Sequence, residues 1–179
     1  GQEAQRVMQK GIDASLFGAM QAGRINIVST AEGAGVRVGP VQVDGREGVQ
    51  IRSAGDLSIS GQAVPDSLDV VRAGVRSSQG DVGLHSGKDL LLAAADVSGR
   101  DVKVDAKRNL TLTTVESRKL QEKRENWNNS TIGITWETYD RTLTDSDSRQ
   151  HGSQILARRD AQLSSGGNTE LKAAKVDAA

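Results

Sequence analysis

A four-residue phrase recurs at fixed intervals between residues 80 and 117 and constrains the fold more than any other feature of the sequence. The phrase begins with Asp or Asn and continues with an aliphatic residue, any residue and a second aliphatic residue. It starts at Asp81, Asp89, Asp101 and Asn109, so the spacing is eight residues within a pair and twenty between pairs. Two short strands per turn, with a turn of about twenty residues, are typical of a β-solenoid.

Side chains within each phrase alternate between the two faces of a strand, so the second and fourth positions share the inward face. These positions are aliphatic throughout: Val82 and Leu84, Leu90 and Leu92, Val102 and Val104, Leu110 and Leu112. One turn cannot bury its apolar face alone, whereas stacked turns can. The leading Asp or Asn suits a tight corner, because its short side chain bonds nearby backbone. Four unrelated strands of an antiparallel sandwich are the alternative, which the paired spacing disfavours.

The same phrase recurs on both sides of this region, with two interruptions. We predict a non-repetitive N-terminal segment over residues 1–22, solenoid turns over 23–117 with an irregular turn at 61–79, an extra-helical excursion over 118–150, and resumed solenoid turns over 151–179. Within the first segment, the apolar spacing predicts two helical turns over Glu3–Lys10.

Composition excludes several classes of function. The net charge is zero, so a large nonspecific attraction to nucleic acid or to an anionic membrane is not expected. The chain has no Cys, which excludes disulfides and thiolate metal sites. No apolar run approaches the roughly eighteen residues of a membrane-spanning helix, so no span is predicted. Because the chain starts at Gly1 without a signal peptide, we expect it to be a fragment of a longer protein.

The stretch from Ile12 to Val36 contains a long motif without gaps. It reads Ile12, Asp13, Ala14, Ser15, Gly18, Met20, Ala22, Gly23, Ile25, Val28, Thr30, Gly33, Gly35 and Val36. This motif resembles a shaft segment of the filamentous-haemagglutinin-like exoproteins of bacterial two-partner secretion. That family includes toxins of contact-dependent growth inhibition. Residues His151–Ala157 and Ser165–Ala173 are similar to the closing phrase of the family's haemagglutinin repeats, although Arg158–Asp160 replaces the usual glycine corner.

The resemblance implies a right-handed parallel β-helix in a secreted protein at the bacterial cell surface. It implies an outer-membrane transporter as partner of the parent chain, and a receptor or glycan on a host or neighbouring cell. We predict a monomeric shaft segment of an adhesin. The alternative is a stalk or translocation segment of a contact-dependent growth inhibition toxin, and the sequence leaves both open.

Seven residues around the excursion are candidate contact residues: Trp127, Trp136, Tyr139, Arg118, Lys119, Lys123 and Arg124. Exposed aromatic residues beside polar groups suit contact with sugar or protein, and the basic run suits sulfated glycans. Two alternatives are simpler. The aromatic residues would seal the core where the excursion leaves the solenoid, and the basic run, interspersed with Glu122 and Glu125, would form a solvated charged face.

No catalytic, cofactor-binding or metal-binding residue is predicted. The two histidines, His85 and His151, are expected to be a surface residue and a structural turn residue respectively, and no His cluster suggests zinc. The carboxylates between Asp140 and Asp147 lack the spacing of a calcium loop. A polysaccharide-active enzyme on this fold would need clustered charged residues on one outer face of consecutive turns. The outward positions of the central repeat contain no such cluster, so we predict that the chain is not an enzyme.

Overall fold

The computed structural model of the chain describes residues 3–8, 12–13, 20–31, 33, 35–131 and 134–178, with side chains at 20–31, 33, 35–120 and 147–178. Every element within these residues is a β-strand. The strands wind into successive turns, and most pair in parallel with the equivalent strand of the next turn. The prediction of an all-β parallel β-helix is confirmed. No helix in the described part of the chain is long and apolar enough to cross a membrane.

A complete turn contributes one strand to each of three faces, which we number in the order in which the chain visits them. Face 1 comprises the first parts of β3 (Met20–Ser29) and β5 (Gln42–Ser53), then β9 (Ala73–Arg76), β12 (Ala95–Gly99), β17 (Gln154–Ala157) and β20 (Lys175–Ala178). Face 2 comprises β1 (Glu3–Met8), the later parts of β3 and β5, then β10 (Val82–Ser86), β13 (Val102–Ala106) and β18 (Ala161–Ser165). Face 3 comprises β2 (Ile12–Asp13), β4 (Val36–Val38), β6 (Leu57–Ser60), β11 (Leu90–Ala93), β14 (Leu110–Thr113) and β19 (Thr169–Leu171).

The prediction of two strands per turn is wrong, because face 1 supplies a third. Strands of face 1 lack the leading Asp or Asn. In β12 one large inward side chain, Val97, stands between the small residues Ala95 and Gly99, and all three are buried. A single large residue gives no alternation of apolar and polar positions, so the phrase that identifies faces 2 and 3 is absent here.

The helical turns predicted over Glu3–Lys10 are also wrong for the part that the structure describes. Glu3–Met8 is strand β1, which pairs in parallel with β3 from Glu3 opposite Arg24 to Met8 opposite Ser29. Pairing with a strand of the next turn overrides the local helical periodicity, which is a weak preference in a short segment.

The core is a continuous column of aliphatic side chains. All eight inward residues of the four central phrases are 1% exposed or less. Leu92 is in register with Ile59 of the preceding turn and with Leu112 of the following one. Burying one such side chain contributes about 1.5–3 kcal/mol, and each turn supplies the apolar surface that its neighbours need.

Side chains at two corners connect successive turns along the axis of the helix. Between faces 1 and 2, Oδ1 of Asp81 accepts a hydrogen bond from the backbone N–H of Asp101 at 3.2 Å, and Oδ1 of Asp101 accepts one from Asp160 at 3.2 Å. Between faces 2 and 3, the same contact runs from Asp56 to Asp89, from Asp89 to Asn109 and from Asn109 to Asn168. The side chain of the leading residue of a phrase therefore forms a hydrogen bond with the backbone at the same corner of the next turn.

Both interruptions of the repeat leave the solenoid at the third corner, between faces 3 and 1. The first insertion, residues 61–72, contains β7 (Gln62–Ala63) and β8 (Val70–Val71), which pair antiparallel. The second is a hairpin of β15 (Val115–Thr131) and β16 (Ile134–His151), also antiparallel. In the turn between them this corner is the single residue Ala94, at φ 48°, so that β11 leads directly into β12.

Candidate functional site

The hairpin is a two-stranded sheet whose strands pair only with each other within the described residues. Its strands have 17 and 18 residues, and they are in register from Val115 opposite His151 at the base to Thr131 opposite Ile134 near the tip. At about 3.4 Å per residue, each strand extends roughly 55 Å. A ribbon of this length provides a surface away from the stacked body.

The base of the hairpin is attached to the first insertion. The backbone N–H of Ser67 donates to the carbonyl of Arg118 at 3.1 Å, and Oδ1 of Asp66 accepts from the N–H of Leu120 at 2.9 Å. The residues of each pair are about fifty positions apart in sequence, and they meet because both insertions leave from the same corner. The first insertion therefore braces β15 where it leaves the body.

A buried polar contact closes the base. Ser117 is 0% exposed, and its Oγ donates to the carbonyl of Leu68 at 2.8 Å. Nε2 of His151 lies 2.9 Å from this Oγ and 3.0 Å from the same carbonyl. A carbonyl oxygen only accepts, so the contact with Leu68 requires a hydrogen on Nε2. His151 thus has the structural role that the sequence predicts.

Arg72 fixes the start of the resumed solenoid. Its Nε and Nη2 donate to the two carboxylate oxygens of Asp96 at 2.8 Å each, and Nη2 also donates to the carbonyl of Gly152 at 2.7 Å. The hydrogen bonds from Arg72 to Asp96 raise the pKa of the guanidinium. This contact connects three successive turns at the corner from which the hairpin leaves, because Arg72 ends the first insertion and Gly152 follows the second.

The aromatic candidates lie in the distal part of the hairpin. Trp127 is directly opposite Tyr139 in the strand register, twelve positions beyond the base residue Val115, or roughly 40 Å along the strand. Trp136 lies in β16, three positions before Tyr139. Directly opposed residues share one face of an antiparallel pair. The register therefore brings Trp127 and Tyr139 together on one face. This position is far from the junction between hairpin and solenoid, where the aromatic residues would have to lie in order to seal the core.

The basic candidates do not form a single patch. Alternation along β15 puts Arg118 and Arg124 on one face and Lys119 and Lys123 on the other, the face of Trp127. Arg118 is exposed and donates to Glu116 at 2.8 Å, which lowers the pKa of that carboxyl. Lys119 is exposed and is in register with Asp147. The side chains of Lys123, Arg124, Trp127, Trp136 and Tyr139 lie outside those that the structure describes, so these five are located by backbone register alone.

The residues that brace the hairpin were not identified from the sequence. Asp66 and Ser67 fall in the stretch predicted as an irregular turn, and no periodicity relates them to Leu120 and Arg118. The only signal was that both interruptions follow a strand of face 3. Among the described side chains, no three His, Asp or Glu residues are grouped closely enough to hold a metal ion.

Comparisons with known proteins agree with this architecture. The hemagglutinin repeat family matches residues 71–130, which run from the end of the first insertion through two turns into β15. A hemolysin of Proteus mirabilis is 29% identical over 187 aligned positions. The chain is similar to filamentous-haemagglutinin-like exoproteins. The alignment with the hemolysin covers 93% of the chain and 12% of the relative. The two matches indicate a secreted protein of the bacterial surface. No solved structure matches the chain.

Proposed function

We propose that this filamentous-haemagglutinin-like chain is a shaft segment of a secreted adhesin, and that its hairpin contacts the surface of a host or neighbouring cell. One observation supports the proposal above all: a long ribbon leaves a stacked body, with Trp127 and Tyr139 opposed in its distal part. Aromatic residues supply much of the binding energy at protein and sugar contacts.

The body and the hairpin suit different tasks. The body buries its aliphatic side chains and repeats its corners, which gives a stiff and uniform support. In the hairpin, each strand has one edge that no described strand covers, so its backbone N–H and C=O groups can pair with a strand of a partner. The contacts of Asp66, Ser67 and Leu68 at the base restrict the direction of the ribbon before binding, which lowers the entropy that binding costs.

Export of the parent chain would use the outer-membrane transporter of a two-partner system. The absence of Cys is compatible with export in an unfolded state. The alternative from the sequence, a stalk segment of a contact-dependent growth inhibition toxin, is not favoured by any feature of the described residues. The chain is proposed to act as a monomer and without enzymatic activity.

Binding of the purified chain to intact host and bacterial cells tests the proposal. We expect saturable binding that the double variant Trp127→Ala/Tyr139→Ala loses. The control variant Asn129→Ala/Glu137→Ala changes the next opposed pair on the same face, closer to the tip, and should retain the binding. Thermal melting of both variants checks that the body is intact. Absence of saturable binding, or equal binding by both double variants, would overturn the proposal.

A further inference from the structure

The strand β16 has one edge that no strand of the described residues covers. It pairs with β15 alone, and it is the longest strand that the structure describes. The outer edge of β15 is different, because the first insertion contacts it near its base through Asp66 and Ser67. A two-stranded ribbon is only marginally stable by itself in water. A further strand at the open edge of β16 would therefore stabilise the hairpin as well as pair with it.

The contacts of the first insertion show which residues of the hairpin direct their backbone groups outward. The carbonyl of Arg118 and the N–H of Leu120 bond to the insertion, so they point away from β16. Directly opposed residues of an antiparallel pair point their backbone groups either toward each other or both away. Ser148 is opposite Arg118 and Ser146 is opposite Leu120, so both serines direct theirs to the outer edge. Alternation extends this to every second residue as far as Thr138.

The residues at these outward positions suit pairing with another strand. Five of the six carry a hydroxyl group: Thr138, Asp140, Thr142, Thr144, Ser146 and Ser148. Threonine is favourable in strands. Lys and Pro, which commonly prevent the pairing of exposed edges, do not occur anywhere in β16. The sequence of the strand therefore leaves its outer edge open to a partner.

The charges of the alternate residues are opposite on the two sides of Leu143. Arg141 lies two positions before Leu143 and Asp145 two positions after it, and Glu137 and Arg149 lie six positions before and after it. If two copies of β16 pair antiparallel about Leu143, Arg141 of each copy lies opposite Asp145 of the other. Glu137 likewise lies opposite Arg149. Opposite charges directly across a strand pair stabilise it, and like charges destabilise it.

Neighbouring registers lack this complementarity. Moving the centre by one residue from Leu143 toward the tip opposes Glu137 with Asp147. Moving it by one residue toward the base gives Arg141 an opposite charge in Asp147 but gives none to Asp145. Moving it by two residues opposes either Arg141 or Asp145 with its own copy. The charge pattern therefore selects one register.

We propose that two copies of the chain associate through the outer edges of β16, which pair antiparallel about Leu143 and join the two hairpins into one four-stranded sheet. The paired span, residues 137–149, lies within β16. Each body remains a separate monomeric shaft, because the contact involves the hairpins alone. A single strand pair is a small interface, so dilute chains are monomers and association requires a high local concentration. This inference does not depend on contact with a cell.

The symmetry of the charges favours a second copy over a strand of another protein. In a two-fold contact, each residue meets a residue at the same distance on the other side of the axis. Such a contact requires opposite charges at equal distances from Leu143, as β16 has. A strand of different sequence requires no such relation. The sequence contains this pattern, but only the hairpin register and the contacts of the first insertion show which edge and which backbone groups are open.

Sedimentation equilibrium of the purified chain over a range of concentrations measures the association. Arg141→Asp opposes two carboxylates on each side of the axis and should weaken dimerisation at least about tenfold. Asp145→Arg opposes two guanidinium groups and should do the same. The control Arg124→Asp makes the same charge change on β15, opposite Thr142, and should leave dimerisation unchanged.

An equimolar mixture of the Arg141→Asp and Asp145→Arg variants tests the register itself. In the mixed dimer, the introduced carboxylate at position 141 lies opposite the introduced guanidinium at position 145. The native Asp145 of one copy also lies opposite the native Arg141 of the other. The mixture should therefore dimerise as the parent chain does, although neither variant pairs with itself. Recovery would also show that both variants are folded.

A cysteine at the axis tests the register independently. The chain has no Cys, so a disulfide in Leu143→Cys can join only the two introduced residues. Opposed residues of an antiparallel pair are close enough for a disulfide. Lys123→Cys is the matched control, because Lys123 lies opposite Leu143 within the hairpin but on β15. We expect mild oxidation to give a covalent dimer of the first variant and not of the second.

A chain that stays monomeric up to its highest soluble concentration would overturn the proposal. Equal weakening by Arg141→Asp and Arg124→Asp would mean a general effect of charge, and a mixture no stronger than the single variants would exclude the register; either result would overturn it as well. Self-association that survives deletion of residues 118–150 would place the contact on the body and have the same consequence. Binding to cells is a separate measurement, so failure of either proposal can be recognised by itself.

Discussion

Asn109 donates its backbone N–H to Oδ1 of Asp89, twenty residues earlier, at 3.1 Å. Leu90, which follows Asp89, donates its own N–H to the carbonyl of Asn109 at 2.8 Å. The same reciprocal arrangement joins Asp81 and Asp101 at the neighbouring corner. Each turn is therefore attached to the next by a side chain as well as by main-chain pairing, which explains why the repeated phrase begins with Asp or Asn.

The type of residue that precedes each corner residue depends on the charge of the equivalent corner residue in the preceding turn. Arg108 precedes Asn109 and donates to both carboxylate oxygens of Asp89 at 2.7 Å. In the next turn the corner below is Asn109, which has no charge, and the residue before Asn168 is Gly167. A cationic residue thus precedes a corner that lies above a carboxylate, arginine before Asn109 and lysine before Asp89, whereas glycine precedes Asn168 above the uncharged Asn109.

Asp81 tests the contribution of the corner side chain. Asp81→Ala removes the acceptor for the N–H of Asp101, so we expect the free energy of unfolding to fall by about 1 kcal/mol. Asp81→Asn keeps an acceptor and loses only the exposed ion pair with Arg100, which is worth little. Urea denaturation of the three proteins measures the difference. Equal losses in the two variants would show that the ion pair, and not the hydrogen bond, stabilises the corner.

The stability of the protein should also depend on Asp81 through pH. The hydrogen bond from Arg100 lowers the pKa of this carboxyl, and the N–H of Asp101 adds to the effect. A group whose pKa is lower in the folded state stabilises the fold above its unfolded pKa, about 3.9 for Asp, and this contribution is lost as the pH falls through the folded value. We expect the urea concentration at the midpoint of unfolding to decrease as the pH falls below about 4, and to decrease less in Asp81→Asn. Parallel pH curves would contradict this.

Faces 2 and 3 could be predicted from the sequence because two independent signals coincide there. Alternation gives the inward residues, as at Leu90 and Leu92, and the leading Asp89 gives the corner. Face 1 has neither signal. In the turn between the two insertions, the corner residue Ala94 has no polar side chain and β12 holds one large apolar residue, Val97, so only the closure of the turn in space shows that this face exists.

The candidate contact site could be located from the sequence only in part. The rarity of aromatic residues selected Trp127 and Tyr139. Their opposition depends on the hairpin register, which shifts between Asn129 and Ser130, and such an irregularity changes which residues face each other. The attachment of Leu120 to Asp66 joins residues fifty-four positions apart in two non-repetitive stretches, so no spacing could reveal it.

Leu92 and Leu91 provide a matched test of the core. Leu92 is 0% exposed between Ile59 and Leu112, whereas its neighbour Leu91 points outward and is only partly buried. We expect Leu92→Ala to lower the free energy of unfolding by about 2–5 kcal/mol, because it leaves a cavity between three turns. Leu91→Ala should cost much less. Chemical denaturation measures both, and similar losses would contradict the assigned inward face.

Replacement of Ala94 by glycine should stabilise the protein. Its φ of 48° lies in the left-handed region, which costs an L-residue about 1–2 kcal/mol, more than the roughly 0.5–1 kcal/mol of entropy that glycine loses on folding. We therefore expect Ala94→Gly to raise the melting temperature. Ala93→Gly, at the end of β11 where φ is not positive, should lower it. A lower melting temperature for both variants would show that the corner stores no such strain.

Ser117 tests whether the first insertion braces the hairpin. Ser117→Ala removes the hydrogen bond to the carbonyl of Leu68 and one partner of His151, in a site that is closed to solvent. The body does not depend on this contact, so the main unfolding transition should change little. Local opening should become easier by about 1 kcal/mol, which corresponds to roughly fivefold faster hydrogen exchange.

The amides to follow are those of Ser67 and Leu120, whose hydrogen bonds join the insertion to β15. Ser148→Ala is the matched control, since Ser148 is exposed on β16. If both variants leave these amides as protected as in the parent protein, the brace does not depend on Ser117 and the direction of the hairpin is set by the backbone pairing alone.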